Sequence, residues 1–375
     1  MLALPLLALV VGSLVYCVLT IVAAVKYRRV APLGRTGSLP HISILKPLAG
    51  VDEGLEENLR SFFEQKYENF EILFAVRCPL DPAIEVAERL RRRYPSIPSQ
   101  LIVTGEPPYP NAKVYSLDRM LAAAEHDLIV MADSDVRVDP LLLATLAAEF
   151  GDPGVGMITC PYRAAPGPSF WSTLEAIGLN TEFIGGVLVA RILDGMRFAL
   201  GPTIAARRET LAAIGGFDAV KDYLAEDFVM GKRAAELGHG VILSTYVIEH
   251  RIGSQGFAAN CRHRLRWSRS TRRSRPRGYV GQVFTHPLPL ALLLWATGAH
   301  WWPVVVGTGV FRAAAGVATA GIALRDPMVA RLWWLVPVQD VASFLFWLAG
   351  FFGNTIMWRG RRYYLRRDGS FTLLP

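Results

Sequence analysis

Apolar positions along this chain form two kinds of run. The first kind is long and apolar: residues 2–25, 283–298 and 304–324, with a fourth run over 332–358 interrupted by Pro337, Gln339 and Asp340. Residues 2–25 suffice to cross a bilayer core of about 30 Å. No basic residue precedes this run, and Lys26, Arg28 and Arg29 follow it, which predicts an uncleaved anchor over 1–26 rather than a signal peptide, with the cytoplasm on the basic side. The later runs predict two to three membrane segments over 283–358, with an interfacial turn at His300-Trp301-Trp302-Pro303. A basic tail over 359–375 opposes three full crossings, so the last run is either re-entrant or an exception to the charge rule.

The second kind of run is short and alternates with helical spacing. Residues 41–47, 70–76, 100–104, 128–133, 198–205 and 241–249 read as strands. Between them, apolar spacing predicts helices over 52–64 (Asp52 as N-cap), 82–93, 116–125, from Asp139-Pro140 onward, and 225–237, with a very basic helix over 255–273. A Gly/Pro linker over 32–40 separates the anchor from this region. Strands alternating with helices predict an α/β fold with a doubly wound, mostly parallel sheet over 41–275. Residues 170–193 are aromatic and apolar, with a Gly185-Gly186 break, and read either as a core helix or as a segment lying on the membrane, where it would line an entry for a lipid headgroup.

Composition sharpens the picture in two places. The chain is 52% hydrophobic with mean hydropathy +0.29, and its net charge of +8 comes from arginines flanking apolar runs, which points to anionic lipid or an anionic ligand rather than nucleic acid. Its four cysteines, Cys17, Cys78, Cys160 and Cys261, are scattered, with no zinc-ligand spacing and no disulfide framework. No Gly-rich dinucleotide fingerprint or P-loop is present.

The candidate chemistry begins at residues 128–135. A buried strand runs into Asp133-Ser134-Asp135, and in an open α/β sheet ligands bind at the carboxyl ends of strands. In an extended chain residues 133 and 135 face one side, and two close carboxylates suit magnesium or manganese; the alternative is a pair of turn-capping aspartates. Asp340 lies within an apolar run. It reads as functional or paired with a buried partner, such as an arginine of the basic helix, or as an aspartate at a break near water.

Five stretches in order resemble the ceramide glucosyltransferase family, membrane-anchored relatives of inverting GT-A glycosyltransferases: Leu45-Lys46-Pro47-Leu48-Ala49-Gly50-Val51-Asp52, Asp81-Pro82-Ala83-Ile84, Asp133-Ser134-Asp135-Val136-Arg137-Val138, Ala225-Glu226-Asp227-Phe228 and His263-Arg264-Leu265-Arg266-Trp267. The segment from Glu106 to Lys113 looks like bacterial members associated with hopanoid lipids. The resemblance implies a GT-A-like fold and transfer of one sugar from UDP-glucose or UDP-N-acetylglucosamine to a ceramide or hopanoid hydroxyl. It also implies an integral membrane protein of a bacterial-type inner membrane, its catalytic domain cytoplasmic. It implies Asp227 as catalytic base, and Asp81, Asp133, Asn111, Lys113, His263, Arg266 and Trp267 as donor contacts. Asp135 and Asp133 would hold a divalent metal (Mg2+ or Mn2+). His263 stands where the family has Gln or Arg. A processive polysaccharide synthase shares these aspartates and the Arg-Trp pair, but needs more spans to form a channel.

Overall fold

The computed structural model describes residues 2–30, 39–299 and 301–374; most of the expected linker over 32–40, and His300 of the expected turn, lie outside them. Ten strands build the central region: β1 Ile42–Pro47, β2 Phe70–Val76, β3 Ser99–Val103, β4 Leu128–Ala132, β5 Val136–Arg137, β6 Val155–Thr159, β7 Tyr162–Pro166, β8 Thr203–Arg207, β9 Gly240–Leu243 and β10 Ile248–Gly253. Seven form one sheet in the order β3-β2-β1-β4-β8-β6-β9, parallel except for β8, which runs antiparallel to both neighbours. The expected α/β class with a mostly parallel sheet is therefore present. Every residue of β2 and β4 is buried, as an unalternating apolar run sandwiched between helices must be. Each such Leu, Ile, Val or Phe contributes about 1.5–3 kcal/mol by leaving water.

A second sheet, β5-β10-β7, stands beside the first. It corrects the single strand expected over 241–249: the chain breaks at Ser244, so β9 ends one sheet and β10 enters the other. The strand expected at 198–205 starts only at Thr203, because residues 198–202 pack closely under a helix. A Cβ on Gly231 would lie 2.3 Å from Ala199 N.

The helices used below are α1 Ala3–Arg28, α2 Leu55–Phe63, α3 Ala83–Arg93, α4 Ala112–Ala123, α5 Leu142–Glu149, α6 Phe170–Gly178, α7 Ile184–Asp194, α8 Arg208–Ala213, α9 Glu226–Glu236 and α10 Phe257–Ser274. Asp52 does not cap α2; Gly54 holds that place, with φ of +77°. Helix α4 begins four residues before the expected Ser116, because the Asn111 side chain accepts from Val114 N at 3.2 Å and caps it. A π turn over Leu179–Phe183 fuses α6 and α7 into one apolar rod.

Among the described residues, three helices are long and apolar enough to cross a membrane: Ala3–Arg28, Phe170–Asp194 and Trp302–Leu324. The first and third match expectation, while the second was open between core and membrane surface. Helix α11 Pro276–Gly281 and the short α12 Pro287–Leu294 lead into α13 Trp302–Leu324; α14 Pro327–Arg331 and α15 Leu335–Gly350 follow. The apolar run over 332–358 is thus no single segment: α15 ends at Gly350, and Thr355–Trp358 is a strand, β11.

The expected basic tail is folded. Strand β11 pairs with β12 Arg361–Leu365, and β12 with β13 Phe371–Leu373. Arg359 and Gly360, with φ of +46° and +77°, make the two-residue turn whose twist suits a hairpin. Tyr363, Leu365 and Phe371 bury one face while Arg362 and Tyr364 stay out. The sheet docks on the central region: Phe371 N donates to Asp222 O at 2.9 Å, and Arg269 and Arg272 of α10 donate to backbone carbonyls over 351–355.

Asp340 has its partner, but not from the basic helix. Arg312 of α13 donates to it at 3.1 Å and Leu288 N at 3.0 Å, with the carboxylate fully buried. The basic helix reaches the same turn of α15 through Arg264, which donates to Gln339 and Ser343 instead.

Candidate functional site

A cavity of about 880 Å³ opens at the carboxyl ends of β1 and β4. Asp81, Lys113, Asp133, Asp135, Asp227, His263, Arg266 and Trp267 all line it. Asn111 does not. It is fully buried beneath, where its amide donates to Tyr223 O at 2.8 Å and caps α4, so its part is to shape the loop ahead of α9.

The two aspartates do not share one side of an extended chain. Strand β4 stops at Ala132 and residues 133–136 turn, Val136 N donating to Asp133 O at 3.3 Å. Each carboxylate consequently has its own partner. Lys113 Nζ stands 2.7 Å from Asp133 Oδ1 and 3.2 Å from Glu226 Oε1, while His250 Nε2 stands 3.2 Å from Asp135 Oδ2. Asp135 Oδ1 is buried with no partner among the described residues, as is His250 Nδ1. Beneath the turn, Lys46 donates to Asp133 O at 2.5 Å and lies over the Phe62 ring.

These contacts set the charges. Burial raises Asp133, with the Lys113 ammonium opposing. Burial also acts to raise Asp135, but His250 and Lys46 outweigh it and hold Asp135 below the usual carboxylate range. Burial alone would lower Lys113, yet Asp133 and Glu226 keep it firmly protonated. Lys46 is pushed down to about 7 by burial, against the pull of both aspartates. Among the described residues no three His, Cys, Asp or Glu side chains converge as a ready-made metal cluster. Still, an orphaned, ionised Asp135 oxygen beside an imidazole and a second carboxylate is the donor set a hard or borderline divalent ion takes.

Asp227 lies in the first turn of α9 beside Glu226, where the helix dipole favours acids. Burial raises its carboxyl to about 7, the Glu226 charge adds to this, and Lys113 opposes. That is the value a general base needs near neutral pH. Asp81 accepts from Gly50 N at 3.0 Å and Ala83 N at 2.9 Å, so it caps α3 and fixes the Ala49-Gly50 loop at the cavity rim. Arg266 of α10 faces the cavity, its guanidinium pushed down to about 10 by burial, with no carboxylate within ion-pair distance among the described residues. Trp267 meets Phe183 and His263 at ring distances of 6.0 and 5.7 Å.

Several lining residues escaped the sequence reading. His250 sits one position beyond the strand expected over 241–249; the alternation Ile248, His250, Ile252, all buried in β10, was the signal. The C-terminal hairpin contributes Trp358, Arg359, Arg361 and Tyr363, with Arg359 Nη1 donating to Ala49 O at 3.1 Å. An Arg-Gly turn followed by alternating residues and an Asp368-Gly369 turn marks it in the sequence.

Comparison with known proteins places this geometry in context. The model of glycosyl transferase family 21 matches residues 5–371. Ceramide glucosyltransferase 1 of Caenorhabditis elegans is 30% identical over 211 residues, 56% of this chain and 45% of that protein. Ceramide glucosyltransferase 3 of the same organism is 29% identical over 224 residues, 59% of this chain and 48% of the other. The chain thus spans about half the length of the curated relatives it matches. A mannosyltransferase from Pyrobaculum calidifontis, solved in complex with GDP-Man and Mn2+, aligns over 94% of this chain and 98% of its own, with a TM-score of 0.57 at 18% identity, and shares the GT-A-like fold.

Proposed function

The chain belongs to glycosyl transferase family 21, and on that premise we propose that it transfers one hexose from a UDP-sugar to a hydroxyl of a membrane lipid, with inversion. The observation that carries the reading is the cavity itself. It holds a base near neutrality, Asp227, together with an orphaned acidic oxygen on Asp135 and an uncompensated Arg266, and one wall belongs to a helix long enough to cross a bilayer.

Transfer requires that the leaving diphosphate be neutralised and that an acceptor hydroxyl lose its proton on the opposite face of the sugar. Asp135, Asp133 and His250 are the residues that would hold a divalent ion (Mg2+ or Mn2+), which supplies positive charge against the diphosphate. Arg266 adds a planar two-pronged donor to the same oxygens. Lys113 ties Asp133 to Glu226 and keeps the acidic cluster from repelling an anionic donor. Asp227, in its ionised form, which gains population as pH rises through about 7, takes the proton of the attacking hydroxyl.

The lipid acceptor follows from the apolar rod Phe170–Asp194, whose Phe183 and Val187 line the cavity. Lys26, Arg28 and Arg29 at the end of α1 support a catalytic domain on the cytoplasmic face, and the membrane in this reading is a bacterial-type inner membrane. The docking of the C-terminal sheet on that domain favours an even number of crossings between α11 and β11, a reading in which α12 or α15 is re-entrant. Donor and acceptor are UDP-glucose or UDP-N-acetylglucosamine and ceramide or a hopanoid polyol. Mass spectrometry of lipid extracts incubated with the membrane-embedded protein and each UDP-sugar tests this. A lipid heavier by one hexose or one N-acetylhexosamine is expected; UDP release without a glycolipid product refutes the reading.

A further inference from the structure

One group of polar side chains in the cavity has no part in the chemistry above. Tyr162, in β7, is 2% exposed, lines the cavity, and its hydroxyl has no hydrogen-bond partner among the described residues. Buried hydroxyls in folded proteins are paired, and an unpaired one facing a cavity calls for a ligand. Nearby, His263 Nδ1 stands 2.7 Å from Glu175 Oε1, and the other Glu175 oxygen accepts from Asn260 at 2.5 Å. A carboxylate oxygen accepts, so Nδ1–H of His263 donates to Glu175, and in the neutral ring this tautomer leaves the lone pair on Nε2.

Aromatic rings join these two groups into one wall. Phe183 stacks on Tyr162 at 5.3 Å and meets Trp267 at 6.0 Å, and Trp267 lies 5.7 Å from His263. Phe183 closes the π turn that leads into α7, so the wall continues along the apolar rod toward the bilayer.

We propose that this wall is a headgroup subsite for the lipid acceptor, in which the Tyr162 hydroxyl and His263 Nε2 recognise a hydroxyl neighbouring the one that is glycosylated. The inference rests on the lipid-acceptor reading given above. A hydroxyl can donate to an imidazole lone pair and accept from a tyrosine, so it satisfies either group. Phosphate and carboxylate offer no proton to His263 and would face the buried Glu175 charge; they belong at the Arg266 side. This moves His263 from the donor, where the motif resemblance puts it, to the acceptor. Trp267 and Phe183 supply flat apolar surface for the carbon skeleton that carries the hydroxyls.

The test uses the full chain in lipid bilayers, a UDP-sugar, and two acceptors: the sugar-free form of the lipid (ceramide or hopanoid polyol) that mass spectrometry finds glycosylated, and the same lipid lacking the neighbouring hydroxyl. Wild type should favour the complete acceptor about tenfold in kcat/KM, the upper end of one net hydrogen bond. Tyr162→Phe should raise acceptor KM by about that factor and erase the preference, with UDP-sugar KM within about twofold. Should that variant not fold, His263→Ala gives the same readout, and His263→Gln, which keeps an acceptor oxygen, should restore part of the preference. Glu175→Gln should weaken the preference by freeing the ring. A change in UDP-sugar KM instead, or a preference that survives Tyr162→Phe and His263→Ala, overturns the subsite while leaving lipid glycosylation intact. A wild-type protein that glycosylates no lipid overturns both.

Discussion

A methyl group on Gly201 would stand 2.9 Å from Asp227 Oδ2. The carboxylate therefore rests against bare backbone at the edge of the cavity, and the absence of a side chain at 201 fixes where it points. Gly201→Ala forces the carboxylate aside, and misplacing a catalytic group by about 1 Å can cost on the order of 10²-fold. The expected result is a kcat lower by about 10- to 100-fold with UDP-sugar KM unchanged, read from steady-state kinetics. Full activity in this variant would remove Asp227 from the base role.

On the proposed function, Asp227 also sets a pH limb. Its carboxyl is raised to about 7, and only the ionised form accepts a proton. Activity should thus rise with pH through about 7 and fall by about tenfold for each unit below it. Asp227→Asn should lower kcat by about 10²–10⁴-fold and abolish the limb, while calorimetry shows UDP binding retained. A wild-type profile flat between pH 5.5 and 8 would contradict the assignment.

Arg312 and Asp340 form a buried ion pair between α13 and α15. Removing one partner strands the other charge, which costs about 3–5 kcal/mol, whereas replacing both with apolar residues of similar size is close to neutral. Arg312→Met and Asp340→Leu should each lower the melting temperature in detergent sharply, and the double variant should recover most of the loss. Additive losses would show that the two act independently.

The hairpin turn offers a way to ask whether this wall of the cavity contacts the donor. Gly360 has φ of +77°, where a β-branched side chain is strained by about 1–3 kcal/mol. Gly360→Val should unseat Arg359 from Ala49 O and loosen the wall made by Trp358 and Arg361, raising UDP-sugar KM several-fold with kcat little changed. Unaltered donor KM in this variant, with proteolysis confirming an opened hairpin, would show that the wall makes no donor contact.

The central sheet was legible because its signals are local: unalternating apolar runs in β2 and β4, and turn or cap residues between them. The fate of the region after Leu332 was not. Trp358 reads as a membrane-interface aromatic until Arg359 and Gly360 are seen to turn the chain, after which Tyr363, Leu365 and Phe371 alternate as one face of a sheet. The partner of Asp340 was likewise out of reach. Arg264 and Arg312 are both long cations that a sequence can place near it, and only the packing of α13 on α15 separates them. Within the site, motif spacing located Asp133 and Asp135 but not their orientation, because a turn and an extended strand have the same spacing in sequence.

The hairpin wall also sets an order of assembly. Residues 355–373 emerge from the ribosome after α12 to α15, so the membrane-embedded helices are placed before the last wall of the cavity exists. The loop at Asp222 and Tyr223, three to four residues ahead of Glu226 on the way to Asp227, gains its sheet partner only then. A nascent chain at that stage carries Asp133, Asp135 and Asp227 with one side of the cavity open, and the cavity gains its last wall only after the apolar helices are in place.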